Sequence, residues 1–172
     1  MAKKKLAPRV AIVMGSDSDL PIMTETAKTL ADLDIPFEIE ITSAHRSPKR
    51  TSDYTTKAAA RGLRVIVAGA GGAFHLAGVI AAETTLPVIA VPIGNSPLAG
   101  WDALLAAVQM PGGVPVGVMA VGKAGAVNAA IFAAQILATG DTALAKRLAK
   151  FKQKLADGVV EKSARMKREL GF

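Results

Sequence analysis

Cysteine is absent from this chain of 172 residues, and histidine occurs only twice. Without cysteine, disulfide bonds and thiolate metal sites are excluded, which suits a reducing compartment such as the cytoplasm. His45 and His75 are thirty residues apart in the sequence, and no His/Cys cluster at metal-ligand spacing accompanies them. We therefore expect no zinc or iron site.

Long apolar runs are also missing, although 51% of the residues are hydrophobic. No stretch approaches the roughly 18 apolar residues of a membrane span, and no signal-peptide core follows the charged start 1–5. We expect a cytoplasmic protein without membrane association. Its length predicts a single domain over 1–172, with 1–8 flexible and 141–170 forming a C-terminal amphipathic helix.

Aromatic residues make up only 4% of the chain, and its excess of basic over acidic residues is confined to the two ends. The formal net charge is +7, but residues 1–9 hold four basic and no acidic side chains, and residues 141–172 hold nine basic and four acidic ones. A nucleic-acid surface would combine a basic stripe with aromatic side chains for base stacking. We therefore expect no nucleic-acid partner.

Short β-branched runs alternate with helical patterns, which predicts repeated strand–helix units. Asp19 and Pro21 mark the start of the first helix. Five units with short, right-handed connections give a three-layer α/β/α sandwich around a parallel five-stranded sheet, for which a flavodoxin-like strand order is the simplest choice. The predicted strands are 10–14, 37–42, 65–69, 88–91 and 116–121, and the later helices are 48–61, 75–85, 99–109 and 124–138.

An extra helix follows the fifth unit, with Asp141 as its expected N-cap. Apolar residues recur along it at helical spacing, with Lys and Arg on the other sides. Such a helix packs on its own domain or on a neighbouring subunit, and we favour the subunit. The stripe consists of Leu144, Leu148, Phe151, Leu155 and Val159.

The segment Ser43–Pro48 follows the second strand and carries a histidine beside an arginine. In a parallel α/β sheet, ligands bind at this edge. Arg46 can donate a bidentate hydrogen bond to phosphate oxygens, and His45 can hold or release a proton near neutral pH. The alternative interpretation is a helix N-terminus, with Ser47 as N-cap and Pro48 in the first turn. Both interpretations can hold together.

Two further loops follow strands at the same predicted edge. In Gly15–Asp19, hydroxyls and a helix N-terminus can bind an anion and a carboxylate can accept from sugar hydroxyls, but a simple capped turn is an equal alternative. In Ala68–Leu76, glycines let backbone amides approach a flat ligand, or they pack a helix against a strand. We interpret His75 as a structural or cavity-lining residue rather than a second acid/base.

The combined loops offer an anion site, a sugar-hydroxyl acceptor, one imidazole and a glycine-lined slot. The sequence contains no Ser/His/Asp triad pattern, no Gly-x-Ser-x-Gly elbow and no paired carboxylates on one element. These residues predict proton transfer or carboxyl migration on a phosphorylated sugar–heterocycle.

Five segments also resemble, in order, motifs of the bacterial PurE family, the 5-(carboxyamino)imidazole ribonucleotide mutases of purine biosynthesis. The resemblance covers about 10–137 and implies a flavodoxin-like fold, no metal or organic cofactor, a phosphorylated imidazole ribonucleotide as substrate, and a homo-octamer with sites at subunit contacts. The segments are Met14–Asp19, Ser43–Pro48, Ala68–His75, Val108–Val116 and Gly122–Ala130.

The resemblance also implies roles for single residues. His45 would be the general acid/base, Arg46 would bind the 5′-phosphate with help from Ser18 and Ser43, and Asp19 would bind the ribose. The loop around His75 would hold carbon dioxide against the imidazole ring. The implied substrate-binding set is Ser16, Ser18, Asp19, Ser43, Ala44, Arg46, Ala70, Gly71, Gly72, His75 and Leu76.

The third loop departs from the family pattern, since Phe74, Ala77 and Val79 stand where members usually have alanine, proline and methionine. The segment Ile93–Asp102 is also less typical of the family.

Two functions other than that of a mutase remain as alternative interpretations of the sequence. One is the family branch that carboxylates aminoimidazole ribonucleotide directly, which tends to have lysine where this chain has Arg46. The other is a non-catalytic, flavodoxin-like nucleotide-binding module.

Overall fold

The computed structural model describes residues 7–172, so the expected flexible segment 1–8 lies outside the described residues except for its last two positions. Strands and helices alternate through this range, with short 3-10 turns at Asp17–Asp19 and Ala59–Arg61. The strands are β1 (Val10–Met14), β2 (Phe37–Ile41), β3 (Val65–Gly71), β4 (Val88–Ile93) and β5 (Gly117–Val118). The helices are α1 (Leu20–Asp32), α2 (Pro48–Thr56), α3 (Leu76–Ala82), α4 (Trp101–Val108), α5 (Lys123–Ala138) and α6 (Thr142–Leu170).

The sheet is parallel throughout, and its strand order is β2-β1-β3-β4-β5. This is the flavodoxin-like order, so the predicted fold class is confirmed. Val10 of β1 lies opposite Phe37 of β2 on one side and Val65 of β3 on the other. The strand order reverses between β1 and β3, and in such sheets the carboxyl ends of the strands at that point border a ligand crevice.

Side chains of β1 alternate between two apolar layers, because successive residues of a strand point to opposite faces. Val10, Ile12 and Met14 pack in the layer formed with α1 and α5, and Ala11 and Val13 pack in the layer formed with α2, α3 and α4. All five are completely buried. Full burial of a large apolar side chain contributes about 1.5–3 kcal/mol, so β1 is a rigid base for the loop that follows it.

Several element boundaries differ from the predicted ones, among them those of β3, α2 and β5. β3 continues to Gly71, and α2 ends at Thr56 before the 3-10 turn that leads to the left-handed Gly62. β5 has two residues instead of the predicted six; it is an edge strand paired only with β4, and beyond Val118 the chain keeps only isolated hydrogen bonds to β4, such as that from the Gly122 N–H to the Pro92 carbonyl. These changes do not alter the layer arrangement.

Asp19 and Ser47 occupy the N-cap positions of α1 and α2, as predicted, but neither side chain caps its helix. The Asp19 carboxylate accepts from the Ser16 backbone N–H instead. The Ser47 hydroxyl accepts from the Ser43 N–H and donates to the Ser43 carbonyl. Both side chains therefore brace the loops at the sheet edge and do not cap the α-helices that follow them.

The C-terminal helix α6 begins with the predicted cap, since Asp141 accepts from the Leu144 N–H at 3.0 Å. Leu144 is completely buried, and Leu148 and Phe151 pack on the apolar layer of α1 and α5. The expectation of a subunit contact was therefore wrong for this first half, which packs on its own domain because α5 leaves an apolar face for it.

In residues 7–172, no helix has both the length and the apolarity to cross a bilayer.

The second half of α6 is different. Leu155 and Val159 are 57% and 67% exposed, and more apolar side chains follow them towards the C-terminus. At 1.5 Å per residue the 29-residue helix is about 43 Å long, whereas the 16-residue helix α5 that it packs against is about 24 Å long. The expected subunit contact is thus restricted to the part of the stripe from Leu155 onward.

Candidate active site

A cavity of about 430 Å³ lies at the carboxyl ends of the strands, bordered by the loops after β1, β2, β3 and β4. This volume lies within the usual range of small-ligand sites. His45 and the eleven other residues that the sequence singles out all line it, so the fold brings them together; their individual roles stay predictions. The lining is Gly15, Ser16, Ser18, Asp19, Ser43, Ala44, His45, Arg46, Ala70, Gly71, Gly72, Phe74, His75, Leu76, Asn95 and Ser96.

The loop after β1 presents a nearly buried carboxylate. Asp19 is 3% exposed, and its Oδ2 accepts from the Ser16 N–H at 3.1 Å. Burial raises the pKa of the Asp19 carboxyl above its ordinary value of 3.8, while hydrogen bonds from the Ser16 N–H and Asn95 and the charge of Arg46 oppose that rise. The capped-turn interpretation is confirmed, because Ser16 and Asp19 form a capping box. Both residues also line the cavity, and their part in binding stays a prediction.

The loop after β2 is held in shape by serine hydroxyls. Ser43 accepts from the Arg46 backbone N–H at 3.2 Å, and Ser47 bridges both backbone groups of Ser43. The Arg46 guanidinium donates to the Gly15 carbonyl at 2.8 Å, which ties this loop to the loop after β1. A guanidinium has five donors, so others remain for an anion in the cavity.

The two histidines meet although they lie on different loops. His45 Nε2 is 2.7 Å from His75 Nδ1, and the ring planes are at 88° to each other. Both side chains are exposed to the cavity mouth, and His75 is the residue immediately before α3. The interpretation of His75 as a structural or cavity-lining residue is refined by this contact, since it hydrogen-bonds the predicted acid/base.

The glycines in and after β3 have different roles: one allows a helix to pack against the strand, and two others line the cavity. A Cβ at Gly69 would collide with the Met23 side chain of α1, so this glycine serves helix packing. A Cβ at Gly71 would collide with the Asn95 amide and would lie 2.9 Å from the Ile93 carbonyl. Gly72 has a φ of +60°, a left-handed conformation that glycine adopts without strain. Only Gly71 and Gly72 of the three line the cavity.

The atypical residues of the third loop lie mainly in the core. Phe74 is 4% exposed and Ala77 is 1% exposed, and both pack in the apolar layer between the sheet and α2, α3 and α4. Phe74 also borders the cavity. The larger ring at Phe74 is therefore accommodated mainly by the core.

Sequence analysis missed two residues that line the cavity, Asn95 and Ser96 of the loop after β4. The Asn95 Nδ2 donates to Asp19 Oδ1 at 3.2 Å, and the Ser96 hydroxyl donates to Asp102 at the start of α4. A signal was present, because polar residues follow the buried strand β4 at the edge where parallel sheets bind ligands. Within residues 7–172, no three His, Asp or Glu side chains are grouped as metal ligands would be.

The strand order and the polar cavity define a flavodoxin-like α/β protein with a site sized for a nucleotide. The family described as AIR carboxylase matches residues 9–158, and the chain belongs to that family. The resemblance drawn from the sequence motifs is thereby confirmed.

Relatives and solved structures agree with this assignment. The chain is 49% identical to a Mycobacterium tuberculosis (H37Rv) protein over 164 residues (95% of this chain, 93% of the relative). It is 48% identical to an Escherichia coli K12 protein over 161 residues (94% and 95%). Both are named N5-carboxyaminoimidazole ribonucleotide mutase. The fold is similar to the crystal structure of Treponema denticola PurE, with a TM-score of 0.84 and 26% identity over 93% of this chain and 99% of that one.

Proposed function

We infer that this chain is an N5-carboxyaminoimidazole ribonucleotide mutase of purine biosynthesis, working in the cytoplasm. It moves a carboxyl group from the exocyclic nitrogen to carbon 4 of the imidazole, giving 4-carboxy-5-aminoimidazole ribonucleotide. The observation that carries the proposal is the meeting of His45, Arg46 and Asp19 in one cavity. Relatives that are 48–49% identical along nearly the whole chain and named for this reaction support it.

Binding of the ribonucleotide uses the two charges at the cavity wall. Arg46, already anchored on the Gly15 carbonyl, binds the 5′-phosphate with its remaining donors, assisted by the hydroxyls of Ser18 and Ser43. Asp19 accepts hydrogen bonds from the ribose hydroxyls, for which an ionised carboxylate is a strong acceptor. These two contacts hold the sugar phosphate and leave the imidazole to face the histidine pair.

The reaction breaks a C–N and a C–H bond, forms an N–H and a C–C bond, and leaves the proton count unchanged. The carbamate C–N bond breaks and releases carbon dioxide, and the exocyclic nitrogen gains a proton from His45, which acts here as general acid. Carbon 4, which is nucleophilic like that of an enamine, then attacks carbon dioxide and becomes tetrahedral. His45 removes the proton from carbon 4 and restores the aromatic ring, which balances the proton taken up by nitrogen.

Positioning is the main contribution of the protein, since carbon dioxide is small and easily lost. The loop at Gly71 and Gly72 and the side chain of His75 border the place where carbon dioxide would stay beside the ring. Holding both reactants together replaces a second-order encounter with an intramolecular step. The hydrogen bond between His75 and His45 also holds the orientation of the His45 ring.

Direct carboxylation of aminoimidazole ribonucleotide is the second candidate, favoured by the description of the matching family. The test is to incubate the protein separately with the carbamate substrate and with aminoimidazole ribonucleotide plus bicarbonate, and to follow the carbon-carboxylated product. The mutase assignment predicts much faster conversion of the carbamate. Faster conversion of aminoimidazole ribonucleotide would assign the carboxylase.

A homo-oligomer, with eight subunits as the resemblance implies, is also part of the proposal. Two exposed apolar surfaces support subunit contacts. One is the second half of α6, from Leu155. The other lies on and before α4, where large side chains are about half exposed or more at helical spacing: Leu98, Trp101, Leu105 and Val108.

A further inference from the structure

The loop after β4 touches two of the other loops through a single side chain. Asn95 Nδ2 donates to Asp19 Oδ1 at 3.2 Å. The Oδ1 of the same amide lies so close to Gly71 that a Cβ there would collide with it. Asn95 thus joins the loop after β1 to the loop after β3, and it lines the cavity beside both.

The orientation of the amide follows from its partners. A carboxylate only accepts hydrogen bonds, so the NH₂ end of Asn95 must face Asp19 and the oxygen must face Gly71. Gly71 has no side chain, which allows the backbone of β3 to come close to that oxygen. The amide is therefore held at its nitrogen by the hydrogen bond to Asp19, and its oxygen lies against the backbone of Gly71.

The contact with Asn95 affects the orientation of the Asp19 carboxylate. One oxygen, Oδ2, accepts from the Ser16 N–H, and the other, Oδ1, accepts from Asn95. One donor on each oxygen fixes the plane of the group, and each oxygen keeps a second lone pair. A carboxylate held in this way can accept from two neighbouring hydroxyls at once.

We propose that Asn95 is a positioning residue, which orients the Asp19 carboxylate to accept hydrogen bonds from the two ribose hydroxyls of the substrate. This inference rests on the proposed function, since it takes a ribonucleotide as the ligand. Asn95 acts through Asp19, not on the reacting atoms. Its loss weakens sugar recognition and leaves phosphate binding at Arg46 intact.

The decisive variants are Asn95→Ala, which removes the amide, and Asn95→Asp, which keeps its shape but replaces the donor with a second acceptor. The proposal predicts that KM for the carbamate substrate rises about tenfold in Asn95→Ala and at least as much in Asn95→Asp, with kcat changed much less, because a hydrogen bond to a charged group is lost. A role in loop packing alone would leave Asn95→Asp close to wild type, and that result would overturn the proposal.

A double-mutant cycle with Asp19→Ala tests whether Asn95 acts through Asp19. The proposal predicts that Asn95→Ala adds almost nothing to the KM of Asp19→Ala, because the group that it orients is gone. Fully additive effects would contradict it. Pro97→Ala is the loop control, since Pro97 is exposed in the same loop and lies outside the cavity lining, and we expect its KM to be unchanged.

Calorimetric titration with ribose 5-phosphate and with inorganic phosphate separates this inference from the proposed function. Asn95→Ala should weaken binding of ribose 5-phosphate about tenfold and leave binding of inorganic phosphate unchanged. Equal loss for both probes, or no loss for either, would overturn the inference. If the wild type binds ribose 5-phosphate and shows this pattern but converts no carbamate, the proposed function fails while the role of Asn95 in sugar binding stands.

Discussion

His45 and His75 form a hydrogen bond across two loops, with Nε2 and Nδ1 2.7 Å apart and the rings nearly perpendicular. A hydrogen bond needs one donor and one acceptor, so one of these two nitrogens carries no proton. The pair can therefore not hold two imidazolium rings without breaking the contact. This bond engages Nε2 of His45, so the protonation of that nitrogen is coupled to the tautomer of His75.

The first prediction concerns the proton transfer. His45→Asn removes the only side chain assigned to take the proton from carbon 4, so we expect kcat to fall by more than about 10²-fold. Substrate binding should persist, because Arg46 and Asp19 remain. The measurements are steady-state turnover and calorimetric binding of the product ribonucleotide. Turnover equal to that of wild type would remove His45 from the mechanism.

Arg46→Ala should instead weaken the binding of phosphorylated ligands. The loss of charge-assisted hydrogen bonds to a phosphate is expected to raise Kd by roughly 10- to 100-fold. Arg46→Lys is the matched control, since it keeps the positive charge but cannot form a bidentate hydrogen bond to phosphate. Its Kd should lie between that of the wild type and that of Arg46→Ala. Titration with ribose 5-phosphate measures all three. An unchanged Kd in Arg46→Ala would assign the phosphate site elsewhere.

The pH dependence of KM should follow the ionisation of the Asp19 carboxyl group. Burial raises the pKa of this carboxyl above 3.8, so as pH falls it takes up a proton at a higher pH than an exposed aspartate would. The ionised form is the better acceptor for ribose hydroxyls, so KM is expected to be flat at neutral pH and to rise as pH is lowered towards that pKa. Asp19→Asn cannot titrate and should lack this rise. The same acid rise in the variant would mean that another group causes it.

Deletion of 155–172 should lower the mass of the assembly in solution. This truncation keeps Leu144, Leu148 and Phe151, which pack on the domain, and removes the exposed half of α6. Circular dichroism should show that the rest of the domain stays folded, and light scattering gives the mass. A truncated protein that is folded and keeps the full assembly mass would remove this half of α6 from the subunit contact.

Much of the fold could be predicted because burial leaves a strong pattern in the sequence. The continuous apolar run of β1 and the alternation of strands with helices are enough to indicate a parallel sheet covered on both faces. β5 was predicted too long because apolar content does not reveal that a strand lies at an edge. The first half of α6 was assigned to a subunit contact because the sequence does not show that α5 leaves an apolar face uncovered.

The cavity lining was predictable where chemistry and position coincide, as for His45 and Arg46 after β2. Hydrogen-bond partners were not predictable, since they depend on loop geometry. Asp19 and Ser47 have the sequence pattern of helix caps, yet their side chains accept from backbone N–H groups of their own loops, those of Ser16 and Ser43. Asn95 was missed because its importance depends on a close approach to Gly71, which exists only in three dimensions.

The most direct test of the central claim follows the carboxyl carbon itself. Carbamate substrate labelled with ¹³C in its carboxyl group is converted in excess unlabelled bicarbonate, and the label in the product is measured by mass spectrometry before the two pools exchange. A mutase that keeps carbon dioxide beside His45 and the imidazole predicts that the product retains the label. A product with the isotopic composition of the bicarbonate pool, or no product at all, would contradict the account.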